Sequence, residues 1–185
     1  MQQELETVSR WLLDASAAVP RDYVMLPVAG QEEPAYRERV YCYELYHQWR
    51  LRWDGGFPYT LCGEIDKQGH PIIRRNEKPD FLVHDPGLMT NLLVVEVKPS
   101  NAKLRKMVKD LRTLTYFRRA FGNGGNYFAA YFWIYGMSEE GWRRRSQELS
   151  NRVRGDRDVD LHLIRPVIHQ RSGEAATFVD WPAGV

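Results

Sequence analysis

The chain has 185 residues, 43% of them hydrophobic and 27% charged, with a net charge of +2. That length builds one domain with a real core but not comfortably two, and the balanced composition excludes a disordered chain. So small a net charge excludes attraction to nucleic acid by bulk electrostatics alone. Two cysteines, Cys42 and Cys62, are too few for a disulfide scaffold and read as buried free thiols in a reducing compartment. The N-terminus lacks a basic and then apolar leader, and no apolar run approaches the ~20 residues of a membrane span, so a cytoplasmic location without a membrane partner is expected.

Leu5, Val8, Trp11, Leu12 and Ala15 recur at helical spacing and predict an amphipathic helix over residues 2–18, ended by Pro20. Residues 20–34 read as a loop, and a second helix is expected from Pro34 to about Trp53, where Asp54-Gly55-Gly56 breaks it. Strands follow over 59–65, 79–84 and 91–98, with Pro71 to Arg74 leading from the first hairpin turn into the next strand, and the last rich in Leu and Val and stopped by Pro99. Ser100 or Asn101 is expected to cap a helix over about 101–120, with Leu104, Met107, Val108, Leu111, Leu114 and Phe117 on its core side. Gly122-Asn123-Gly124-Gly125 closes that helix as a turn, and Tyr127 to Tyr135 forms another buried strand. A charged helix over 138–153 and late strands over 159–164 and 176–181 complete the chain. Helices and strands in this order predict an α/β protein with a mixed central sheet flanked by helices.

The chemistry lies in Lys78-Pro79-Asp80-Phe81 and Val95-Glu96-Val97-Lys98. Alternate residues of a strand share a face, so Glu96 and Lys98 point one way, ~7 Å apart, and Val95 and Val97 the other. With Asp80 on the neighbouring strand, two carboxylates and a lysine converge. Paired carboxylates repel each other, and a divalent cation resolves the conflict. Mg²⁺ favours oxygen ligands, here Asp80, Glu96 and the Val97 backbone carbonyl. Lys98 would then bond the attacking water or a non-bridging phosphate oxygen.

Alone, Glu-Val-Lys reads as the charged face of a solvated strand, and Pro-Asp as a turn. Three further features favour the site. Glu44 sits in the aromatic stretch Val40 to Trp49, where a carboxylate is expected to be partly buried. Glu64, at the end of a predicted strand, adds a possible acid. The helix after Lys98 is basic: Lys103, Arg105, Lys106, Lys109, Arg112, Arg118 and Arg119 against Asp110. Lys103, Arg105, Lys106 and Lys109 are its candidate phosphate contacts. The five histidines are scattered, without zinc-site spacing. Trp49, Trp53, Phe57 and Tyr59 are expected to pack the helix on the sheet rather than stack on bases.

Pro79-Asp80 followed by Glu96-Val97-Lys98 resembles the motif of the PD-(D/E)XK nuclease superfamily. The resemblance covers about residues 36–136. It implies a restriction-endonuclease-like core, helix–strand–strand–strand–helix–strand; the N-terminal helical extension (1–35) and the C-terminal helix and strands (137–185) lie outside the resemblance. It implies Asp80 and Glu96 as ligands of Mg²⁺ or Mn²⁺, Lys98 as the catalytic lysine and Glu44 as the acid of the first core helix. The implied activity is hydrolysis of nucleic acid, DNA before RNA, in phage defence, restriction or mobile-element processing. The implied assembly is a homodimer or a larger complex. The alternative is a non-catalytic module of the same fold that binds nucleic acid or protein.

Overall fold

The computed structural model describes residues 1–63, 78–85, 87–88, 90–119 and 127–183. The centre of the fold is set by the two most apolar stretches. Asn91–Pro99 and Tyr127–Tyr135 form parallel neighbours, β3 and β4, in register from Asn91 opposite Tyr127 to Pro99 opposite Tyr135. Strands buried on both faces need unbroken apolar sequence, which both supply. β1 (Thr60–Gly63) and β2 (Phe81–His84) add antiparallel on one side. β5 (Arg165–His169) joins parallel to β4 on the other, and the two-residue β6 (Thr177–Phe178) closes that side antiparallel. The result is a six-stranded mixed open sheet whose spatial order follows chain order.

Alternation along the strands divides the core into two layers. Phe81, Val83, Val95, Val97, Trp133 and Val167 face α1 (Gln2–Ala17), α2 (Arg21–Val24) and α3 (Glu38–Arg50). Leu82, Val94, Phe132, Ile134 and Ile168 face α4 (Leu104–Arg118) and α5 (Glu139–Val153). Each fully buried Leu, Val or Phe contributes about 1.5–3 kcal/mol, so both layers are needed. α1 belongs to this core rather than lying apart from it. Val8, Leu12 and Ala15 are buried, and its Ser9 hydroxyl meets the Tyr131 hydroxyl at 2.6 Å. Trp11, Trp53 and Phe57 form an edge-to-face cluster with centroids 5.1–5.5 Å apart, so these aromatics pack, as expected.

A second interlock fixes α3. Trp133 Nε1 donates to the Tyr41 hydroxyl at 2.9 Å, and that hydroxyl lies 2.8 Å from His169 Nδ1. Indole N–H only donates, so Trp133 is the donor and the Tyr41 hydroxyl bridges it to His169 Nδ1.

Several sequence expectations are corrected. Residues 20–34 contain α2, and Leu26 bridges Ala35. α3 begins at Glu38, four residues past Pro34, and stops at Arg50. Neither Ser100 nor Asn101 caps α4; its N-cap is Lys103, without a side-chain bond. The alternating segment 159–164 holds a 3-10 turn, Leu161–Leu163, and the strand begins only at Arg165. Cys42 is buried but Cys62 only partly so, and neither forms a disulfide. The expectations for Glu64, for Pro71 to Arg74 and for Gly122 to Gly125 lie outside the described residues. Among the described residues no helix is long and apolar enough to cross a membrane.

Candidate functional site

β2 and β3 run antiparallel with Phe81 opposite Val95. One step further, Asp80 stands opposite Glu96, on the face that carries Leu82 and Val94. Directly opposed side chains have Cβ atoms about 4.5–5.5 Å apart. At that spacing burial raises Glu96 and the Asp80 charge adds to the rise, so Glu96 is the acid favoured to keep a proton. β2 begins at Phe81, so the Val97 backbone has no strand partner on that side. Its N–H donates instead to Asp80 Oδ2 at 2.7 Å, and its carbonyl accepts from Lys98 Nζ at 2.8 Å. The strand's end thus frees the two backbone groups that lock the aspartate and the lysine.

Lys98 is 7% exposed and is held by both helical layers. Its Nζ lies 3.1 Å from Glu38 Oε1, at the start of α3, and 3.1 Å from Asp110 Oδ2, in α4. Glu96 and Asp110 are nearly sealed from solvent, at 6% and 5%, whereas the Glu38 side chain is 37% exposed and marks the open side.

Four carboxyl groups surround one ammonium here, and the titration behaviour follows. Burial raises Glu96 well above the usual carboxylate range, with Asp80 and Asp110 adding to the rise. Burial also raises Asp80, against the pull of Lys98 and the Val97 N–H. Asp110 is pushed up to about 7 by burial, despite Lys98. Burial alone would lower Lys98, but Asp110, Asp80, Glu38 and Glu96 outweigh it and raise it. Lysine and Asp110 both move up because one cation cannot neutralise four acids. The acids retain a proton between them, and Lys98 stays charged.

That shared proton is the feature a divalent cation suits. Asp80 and Glu96 offer two carboxylates, and the Val97 carbonyl has a second lone pair beyond the one facing Lys98. Mg²⁺ commonly binds through one or two carboxylates while keeping several waters, so this donor set fits. Among the described residues, no group of three or more His, Cys, Asp or Glu side chains forms a ready-made metal cage.

The sequence residues divide clearly. Asp80, Glu96, Val97 and Lys98 come together. Glu44 does not join them: it accepts a bond from Gln48 of its own helix at 2.8 Å. Glu38 takes the place at the lysine instead, six residues earlier and roughly 240° away around α3. Asp110 was read only as an isolated acid on a basic helix. Its position three residues after Met107 and four before Leu114, both buried, was the available signal. His84 lies at the other end of β2, opposite Thr60 and Asn91.

The basic helix also divides. Lys103, Arg105, Lys106 and Lys109 are exposed and make no ion pair among the described residues. Arg112 pairs with Asp156 at 2.8 Å, Arg118 donates to the carbonyls of Tyr127, Phe128 and Leu163, and Arg119 to that of Arg157. The first half remains available for phosphates, and the second half is structural. A larger groove of about 530 Å³ lies at the other ends of β4 and β5, among Phe128, Tyr131 and Arg165, away from the acids.

The chain matches no protein-family model, no curated protein and no solved structure.

Proposed function

We propose that the chain is a metal-dependent phosphodiesterase of the PD-(D/E)XK type that cleaves nucleic acid, DNA before RNA. The observation that carries the reading is the cross-strand Asp80–Glu96 carboxyl pair beside a buried, charged Lys98. Pairing two acids in a dry site is costly unless a cation or proton joins them. The element order supports the same reading. α3, β1, β2, β3, α4 and β4 follow the superfamily's helix–strand–strand–strand–helix–strand core.

Asp80, Glu96 and the Val97 carbonyl would hold Mg²⁺ or Mn²⁺. Such an ion, when bound, lowers the pKa of a coordinated water and neutralises charge on the phosphate. Water's oxygen bonds to phosphorus as the bond to the 3′-oxygen breaks; the water gives up a proton to solvent and the 3′-oxygen takes one up, leaving a 5′-phosphate and a 3′-hydroxyl. Lys98 contributes an ammonium whose charge four acids secure, suited to a non-bridging phosphate oxygen. Paired with Glu38 and Asp110, this lysine serves as an electrostatic stabiliser and donor. Glu38 and Asp110 position it from opposite layers, and Glu38 faces the side from which substrate enters.

The test incubates the purified chain with single- and double-stranded DNA and RNA in Mg²⁺, Mn²⁺ or EDTA, beside Lys98→Ala. Metal-dependent cleavage that disappears in the variant is expected. Equal cleavage by the variant would place the chemistry elsewhere. Metal-independent nucleic-acid binding without cleavage would identify a binding module.

A further inference from the structure

A recess of about 220 Å³ opens where β3 and β4 end. Ser100, Gly136, Gly141, Arg144, Arg145 and Glu148 line it. It adjoins the acid cluster: Ser100 is two residues beyond Lys98, roughly 7 Å along extended chain. Gly136 follows Tyr135, the register partner of Pro99. Tyr36, two residues before Glu38, lies against Gly136. A Cβ on that glycine, whose φ is +71°, would meet the Tyr36 ring at 2.5 Å.

We infer that this recess binds a second phosphate group of the same nucleic-acid strand, through Arg144 and Arg145. The inference rests on the nuclease reading and adds a substrate contact to it. On α5, Gly141, Arg144, Arg145 and Glu148 fall at i, i+3, i+4 and i+7, which is one helix face. The side-chain-free Gly141 keeps the floor open, since a Cβ there would come within 3.3 Å of Ser138 Oγ and 3.4 Å of Met137 Cγ. Glu148 engages Arg145 at 3.1 Å and offsets part of its charge. Arg144 is exposed and makes no ion pair among the described residues. The Ser100 hydroxyl, at the rim, has no hydrogen bond there either. The helix end itself is not the recognising element, because Ser138 Oγ already accepts from the Gly141 N–H and Glu139 and Glu140 fill the first turn.

The recess therefore presents a guanidinium suited to two phosphate oxygens, a second guanidinium shared with Glu148, and a hydroxyl. A nucleic-acid strand carries phosphates on both sides of the scissile one, and the recess adjoins the acid cluster, so a neighbouring phosphate of the same strand is its occupant. The phosphate is either an internal phosphodiester or a terminal monoester.

The test measures equilibrium binding of a labelled DNA oligonucleotide, single- and double-stranded, to the full chain in EDTA, where no cleavage intervenes. Arg144→Gln is compared with Arg152→Gln, which removes the same charge from the far end of α5. The expected result is about tenfold weaker binding in Arg144→Gln, with a salt slope lower by about 0.9 on duplex. Arg152→Gln is expected to stay within about twofold. If a 5′-phosphate strengthens binding only when Arg144 is intact, the recess takes a strand end. If the loss is the same with a 5′-hydroxyl, it takes an internal phosphate. Equal effects of the two variants, or no binding by the wild type, would overturn the inference. Because binding is read without metal, an Arg144-specific loss in a chain that never cleaves would retain the recess and reject the nuclease. Cleavage with no Arg144 effect would do the reverse.

Discussion

Acid should weaken the Trp133–Tyr41–His169 interlock by an amount that can be worked out. His169 is fully buried, and burial lowers its pKa from the ordinary 6.5 to about 4. Between those values the unfolded chain binds a proton that the native ring refuses. Its contribution is therefore present above pH 6.5 and falls away as pH drops toward 4. At about 1.4 kcal/mol per unit, moving from pH 7 to pH 5 costs about 2 kcal/mol. Bulk stability alone would conceal this. Asp80, Glu96 and Asp110 have raised pKa values, so their contribution is complete at low pH and lost as pH rises, which is the opposite slope. The comparison with His169→Gln removes that background. Gln keeps an amide that can bond the Tyr41 hydroxyl and has no titrating ring. In urea, with an m-value of about 2 kcal/mol/M, the gap between wild type and variant should shift by about 1 M between pH 7 and pH 5. A gap independent of pH, or an NMR titration placing His169 near 6.5, would refute the reasoning.

Three further outcomes follow from the site. Mn²⁺ at ten times its Kd should stabilise the wild type by about 1.4 kcal/mol, roughly 3–6 °C in Tm, and neither Asp80→Asn nor Glu96→Gln should respond. Because the ion competes with the proton shared by those acids, the shift should shrink as pH falls; equal shifts in all three proteins would remove the metal reading. Glu38→Gln should slow cleavage about tenfold or more, the ~1.5 kcal/mol of one charge-assisted bond, whereas Glu44→Gln should stay within about twofold. The reverse ranking would restore Glu44. Lys106→Gln should weaken duplex binding and lower its salt slope by about 0.9, while Arg118→Ala should leave binding unchanged and cost about 1–3 kcal/mol of stability in urea.

The sequence made the strand chemistry legible because a period of two is unforgiving. Once Glu96 and Lys98 lie in one strand they must share a face, and Val95 and Val97 must enter the other layer. The helical contributions were harder to read. Placing the start of α3 at Pro34 rather than Glu38 made Glu38 look like a residue of the second turn, and Glu44, amid aromatics, looked more buried. Yet the residue at a helix's first turn can reach past the sheet's end, which a mid-helix residue cannot. Asp110 was hidden by its company, since a run of lysines and arginines suggests a solvated face until each position's phase is checked. The late strand was misplaced because Val159, Leu161 and Leu163 alternate as a strand would, while Pro166 argued against the true one. Proline lacks a donor and is tolerated near a strand's start, where it lies.

A strand order that follows chain order also bears on the sequence of assembly. Each new strand meets a neighbour already made, so the sheet can grow outward as the chain lengthens, without waiting for distant partners. Asp80, Glu96 and Lys98 can be brought together once β3 has paired with β2. The anchor for α3 comes later, because Tyr41 needs His169 from β5, 128 residues downstream. α1 waits longer still, with Ser16 Oγ accepting from the Ala176 N–H. An unfinished chain would therefore hold the acids and the lysine without a fixed Glu38, and the lysine's full set of partners would arrive only with the last strands.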